Sequence, residues 1–125
     1  MYLVDTDVLI DVLRGVNEAK QYLTELAGEG LAVSVITVAE LFSGRDTKDP
    51  VKREKVLKLL RHFEVIPIDN EIAVLAGEIR RDYGLHLGDA IISATAIIHG
   101  LTVVTGNLKH FGKVEGLPVI KPPYR

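Results

Sequence analysis

Residues 1–13 read MYLVDTDVLIDVL, and the first turn of this stretch decides the fold. Tyr2-Leu3-Val4 is a short apolar run of the kind that forms a buried strand. Asp5 follows it directly, and Asp7 and Asp11 recur inside an otherwise hydrophobic segment. Burying a carboxylate costs several kcal/mol unless something compensates it. Acids at the turning point of a core-bound segment therefore need a reason.

The same punctuation recurs along the chain. Leu31 to Ser34, Val65 to Ile68, Thr102 to Val104 and Val119 to Ile120 are further short, apolar, largely β-branched runs. Helical spacing fills the gaps between them. Ala19, Tyr22, Leu23 and Leu26 fall on one face, Val56, Leu57, Leu60 and Phe63 on a second, and Ile72, Ala76, Ile79 and Tyr83 on a third, which Gly84 closes. The segment DAIISATAIIH, from Asp89 to His99, is apolar nearly all round and predicts a buried helix. Strands alternating with helices predict an α/β fold in which a parallel sheet is covered on both faces.

The 125 residues carry no internal repeat or interior linker, so a single domain over residues 1–125 is expected. No cysteine is present, which excludes a disulfide framework and thiolate metal sites. The start has no basic flank of a signal peptide, and no run is long enough to span a bilayer. A soluble cytoplasmic protein without membrane association is the expectation. The formal net charge is −2, but its distribution is uneven. Between Arg45 and Arg61 seven basic residues stand against three acids, about +4, leaving about −6 elsewhere. Such a segment is either a solvated helix surface or a face that docks a phosphate backbone.

Ligands of open parallel sheets sit beyond the carboxyl ends of the strands. Asp5 ends the first strand, Glu40 lies about one turn into the helix after the second, and Asp89 starts the buried helix. Asn107 follows the fourth strand in VVTGNLKHF. Each has a local explanation. Thr37-Val38-Ala39-Glu40 matches a capping box, Asp5 and Asp89 suit helix N-termini, and Asn107 suits a turn. Together they suggest more. With the first strand central, the three acids share one crevice, and the usual remedy for their repulsion is a hard divalent cation such as Mg²⁺ or Mn²⁺. That chemistry serves phosphodiester hydrolysis.

Four blocks, VDTDVLIDVL, SVITVAELFSG, LGDAIISATAIIHG and LTVVTGNLKHFGKVEGLPVI, span nearly the whole chain. Asp5, Glu40, Asp89 and Asn107 follow one another at intervals of 35, 49 and 18 positions. In this order the blocks resemble a PIN-domain nuclease of the VapC type, the toxin half of a VapBC toxin–antitoxin pair. The resemblance implies a three-layer α/β/α sandwich with a four- to five-stranded parallel sheet, and a Mg²⁺- or Mn²⁺-dependent endoribonuclease. It makes Asp5, Glu40 and Asp89 the metal-binding acids and Asn107 a further catalytic position, the less charged of the family's two versions. Thr6 and Thr105 match positions where a hydroxyl lines the site. RNA as substrate, a VapB-like antitoxin and a homodimer are the implied partners.

The remaining polar residues read as peripheral. Asp7 belongs to the rim of the site or to the helix dipole, and Asp11 to the surface, within reach of Arg14 at i+3. His62, His86, His99 and His110 read as structural or RNA-facing. RNA contacts are expected from residues 45–61 and from Arg80, Arg81, Lys109 and Lys113. Two other readings fit parts of the pattern. One is a receiver-like signalling domain with Asp69 as phospho-acceptor, although Asp69 also suits an N-cap. The other is a PIN-like module outside toxin–antitoxin systems, either an RNA-processing nuclease or a binding scaffold.

Overall fold

The computed structural model describes residues 1–125. Tyr2–Val4 forms β1, and Asp5 passes the chain straight into α1, Thr6–Leu13. Then come α2 (Asn17–Leu26), β2 (Leu31–Ser34), α3 (Val35–Phe42), α4 (Pro50–Leu60) and β3 (Glu64–Ile66). The second half adds α5 (Asn70–Tyr83), α6 (Leu87–His99), β4 (Thr102–Val104), α7 (Leu108–Phe111) and β5 (Val119–Ile120). The strands form one sheet in the order β3-β2-β1-β4-β5, every pairing parallel, so β1 is the middle strand of five.

Alternation along β1 divides the core. Leu3, aligned with Ala32 and Val103, faces α5 and α6 among Ile72, Ala76, Ile79, Ala90 and Ile92. Val4, aligned with Val104, faces the other way, toward Val8, Leu9, Leu23, Val56 and Phe63 of the layer built from α1, α2 and α4. Successive strand residues point to opposite faces, so two core residues in a row require a layer on each side. The three-layer sandwich and the five-stranded parallel sheet are as expected.

Helix α6 is buried continuously from Ala90 to Ala96, as its all-round apolarity required. Gly84 terminates α5 at φ +69°, a left-handed backbone that glycine adopts without steric cost. Two expectations are corrected. The third strand is Glu64–Ile66 rather than Val65 to Ile68, because Pro67 has no N–H to donate to a ladder. On α4 the inward stripe is Val56 with the half-buried Leu59 and Leu60, while Leu57 is exposed. No helix is long and apolar enough to cross a membrane.

Candidate metal centre

The carboxyl ends of β1, β2 and β4 point to one side, and the expected polar residues gather there. Asp5 is the N-cap of α1 and only 6% exposed. Its Oδ1 accepts the Thr6 N–H at 2.8 Å, and its Oδ2 accepts the Thr105 hydroxyl at 2.7 Å. Thr105 Oγ1 in turn accepts the backbone N–H of Asn107 at 2.9 Å. Residues 100 positions apart in sequence thus form one chain, held in register because β1 and β4 are paired neighbours.

Thr6 ties in the second acid. Its hydroxyl donates to Glu40 Oε1 at 2.7 Å and lies 3.0 Å from the hydroxyl of Thr37. The capping box is not formed. Helix α3 starts at Val35 with Ser34 as its N-cap, the Ser34 hydroxyl accepting the Ile36 N–H at 3.1 Å. Thr37 is therefore a fully buried residue inside the helix, and Glu40 lies near its far end, an exposed carboxylate over the site. A Cβ on Gly88 would stand 3.3 Å from Glu40 Oε2, so the start of α6 approaches this carboxylate closely. Asp89, one residue on, sits in the first turn of α6, where the helix dipole favours an anion.

Asp7 is drawn further in than a rim residue. Its Oδ2 accepts the Gly106 N–H at 3.1 Å, and its Oδ1 is buried without a partner. Burial first, then the charge of Asp7, push the Asp5 carboxyl up to about 8, with Asp89 adding to the effect. The hydrogen bonds from Thr105 and Thr6 act in the opposite direction, favouring the ionised form. Asp5 has no ion-pair partner.

Three side chains emerge that the sequence reading kept outside the site. His110 Nδ1 lies 3.5 Å from Asp89 Oδ2 and 2.8 Å from Asn107 Nδ2, and its ring meets His86 edge-on at 6.4 Å. Arg125 reaches α1, its Nε and Nη2 donating to the Asp11 carboxylate at 2.9 and 3.1 Å, with Nη1 3.6 Å from Asp7 Oδ2. The Tyr124 hydroxyl also donates to Asp11, at 2.8 Å. Asp11 is therefore anchored by residues 124 and 125 rather than by Arg14. Gly106 makes this possible, since a Cβ there would lie 2.5 Å from Arg125 Cδ. Gly-Asn in VVTGNLKHF carried a turn signal and His110 an i+3 spacing from Asn107, but nothing in the sequence announced Arg125.

Asp69 does not belong to this group. It is an exposed N-cap of α5, its Oδ1 accepting the Ile72 N–H at 2.9 Å, beyond the edge strand β3. The receiver-like reading has no phospho-acceptor in the crevice.

The donors in the crevice are carboxylate, hydroxyl and amide oxygens, which suit a hard divalent cation. An orphaned buried carboxylate oxygen on Asp7, and an Asp5 carboxyl pushed up first by burial and then by the charge of Asp7, fit residues that a divalent cation would stabilise. No three acidic or imidazole side chains stand close enough to enclose an ion unaided. Mg²⁺ keeps several waters when bound, so carboxylates spaced as these are would hold it partly through those waters.

Known proteins share this sequence and this fold over nearly the whole chain. The PIN domain family model matches residues 2–117. The chain is 42% identical over 130 residues to ribonuclease VapC10 of Mycobacterium tuberculosis, covering 99% of this chain and 93% of that one. It is 38% identical over 119 residues to ribonuclease VapC1 of Methanocaldococcus jannaschii, covering 90% and 80%. Among solved structures, a toxin–antitoxin complex from Klebsiella pneumoniae contains a chain with a TM-score of 0.81 and 36% identity, 98% of each being covered.

Proposed function

The chain belongs to the PIN-domain family, among the VapC ribonuclease toxins of type II toxin–antitoxin systems, and we propose that it cleaves RNA with Mg²⁺ or Mn²⁺ held by Asp5, Glu40 and Asp89. One observation carries the assignment. A buried carboxylate at the end of the middle strand has no cationic partner, while the further carboxylates Asp7 and Asp89 press on it. The bound ion would supply a polarised phosphate oxygen and an activated water, as divalent ions do in phosphodiester hydrolysis.

The chain's own residues have separable parts in this reading. Thr105 and the Thr6 N–H fix the two oxygens of Asp5 and favour its ionised form. The Thr6 hydroxyl orients Glu40 toward the start of α6. Asn107, the remaining catalytic position, offers its side-chain amide beside Asp89 and His110. Hydrogen bonds of this kind hold metal-ligating carboxylates in a fixed orientation. Asp7 adds a partly buried negative charge beside Asp5, 3.6 Å from the Arg125 guanidinium.

Residues 1–125 act as one PIN domain in this proposal, in the cytoplasm, as a homodimer neutralised by a VapB-like antitoxin. The Klebsiella relative is found in such a toxin–antitoxin complex, which supports the partner assignment. The test uses the purified full chain with an RNA pool and Mg²⁺, Mn²⁺ or chelator, beside Asp89→Asn. Cleavage that needs the metal and is lost in the variant is expected. Cleavage that persists in chelator, or at the wild-type rate in Asp89→Asn, would overturn it.

A further inference from the structure

A cleft of about 430 Å³ opens beside the acidic site, between the end of α1, the end of α3 and the first two turns of α4. Its polar wall includes Glu40, whose carboxylate also takes the Thr6 hydroxyl, so cleft and site share a residue. Its floor is apolar, from Leu13, Leu41 and Val56. Arg14, Lys52 and Lys55 line the opening. We propose that this cleft carries the single-stranded RNA adjoining the cleaved bond, with Arg14 and Lys55 binding its backbone phosphates.

The inference rests on the nuclease reading above and narrows where the substrate runs. The basic stretch from Arg45 to Arg61 does not present one face. Arg53 lies 5.0 Å over the ring of Phe42, Arg61 is 3.8 Å from Glu54, and Lys58 lines a separate recess against Leu23 and His62. Lys52 stands 3.6 Å from Asp46 in an exposed pair, a contact worth little against a phosphate. Arg14 and Lys55 are exposed and form no ion pair, and both line the cleft that includes Glu40. Asp46 also lines the cleft and is matched by Lys52, which leaves Arg14 and Lys55 against Glu40 as the cations open to a phosphodiester chain, and the apolar residues beside them suit ribose and base surfaces.

The dimensions select the form of RNA. The volume is that of one small-ligand pocket, room for about one nucleotide of an extended strand. No aromatic residue lines the cleft to stack a base, and the contacts assigned to Arg14 and Lys55 are to phosphates, which carry no sequence information. Arg14 and Lys55 therefore set affinity and direction of the strand rather than the sequence cut.

The test compares the full-length chain with Arg14→Glu/Lys55→Glu, using Lys58→Glu, which lines a separate recess, as a control. All three changes are exposed, and unaltered thermal melting verifies folding. Affinity for a random-sequence single-stranded RNA pool is measured in chelator, so that binding is read without cleavage. The double variant is expected to bind about tenfold or more weakly, with the slope of log K against log salt reduced by about 1.4 for two lost phosphate contacts. In Mg²⁺ its KM should rise while the rate at saturating RNA persists. Unchanged affinity and slope, or an equal loss in Lys58→Glu, would overturn the proposal. Unchanged RNA binding with loss of the antitoxin complex would assign the cleft to a protein and overturn it as well. Failure of the wild-type chain to cleave in any metal would instead count against the nuclease reading, because binding in chelator is scored separately.

Discussion

Asp5 and Asp69 stand at equivalent junctions. Each follows a strand of the parallel sheet, and each caps the next helix with a carboxylate oxygen accepting a backbone N–H, at 2.8 Å for Asp5 and 2.9 Å for Asp69. Their surroundings differ completely. Strand β1 is the middle of five and β3 is an edge, so Asp5 is buried among other strand ends while Asp69 faces solvent. Asp5 gathers Thr105 from the neighbouring β4 and feels the charges of Asp7 and Asp89, whereas Asp69 meets only its own helix. Capping is a local property of the chain. A crowded, buried cap is a property of strand order, and strand order is what makes one of two similar aspartates a candidate metal ligand.

Substitution breaks the comparison most sharply. Asp5→Asn is expected to reduce RNA cleavage to background in Mg²⁺ or Mn²⁺, whereas Asp69→Asn should cleave at the wild-type rate, since asparagine caps as well as aspartate. A gel-based cleavage assay reads both.

The next effect concerns stability and pH in chelator. Asp5 has its folded value raised to about 8 from an ordinary 3.8. The folded state therefore keeps a proton that the unfolded chain releases. Its contribution is full below about pH 4 and is lost as the pH rises through about 8, on the order of a few kcal/mol. Denaturant unfolding of the wild type should show that decline, and Asp5→Asn should flatten it. Added Mn²⁺ near pH 8 should restore stability to the wild type through binding to the folded state.

Thr105→Val tests whether the contact across strands matters. It keeps the shape but strips Asp5 of a donor and the Asn107 N–H of an acceptor, and a loss of about 10–100-fold in metal affinity or cleavage is expected. Isothermal titration with Mn²⁺ and steady-state cleavage would measure it. The smallest effect belongs to the edge: Asp69→Ala should cost about 1 kcal/mol in denaturant unfolding and leave cleavage unaltered.

The two junctions also show what the sequence made legible. Apolar triplets followed by aspartate mark strand ends and caps, so β1, α1, the cap of α5 and the buried α6 follow from residue types alone. The sequence puts Glu40 about one turn into α3 and within a capping box, because β-branched residues on both sides of Ser34 hide where strand becomes helix. The hydroxyl of Ser34 settles that boundary, and its signal is weaker than the Thr-x-x-Glu pattern just after it. From sequence Asp7 reads as a rim or dipole residue, because its main contacts, Gly106 and Arg125, lie about a hundred positions away and depend on β4 lying beside β1. His110 was passed over for the same reason, since its partner Asp89 belongs to another element. Local chemistry is written in local sequence, and these contacts depend on how the strands are ordered.

The account stands or falls on an ion at Asp5. Crystals of the full chain soaked in Mn²⁺, with anomalous diffraction recorded at the manganese edge, address it directly. A peak within coordination distance of the Asp5 carboxylate, absent from crystals of Asp5→Asn, is the expected result. A peak that persists in Asp5→Asn, or none in this crevice while Mn²⁺ supports cleavage in solution, would contradict it.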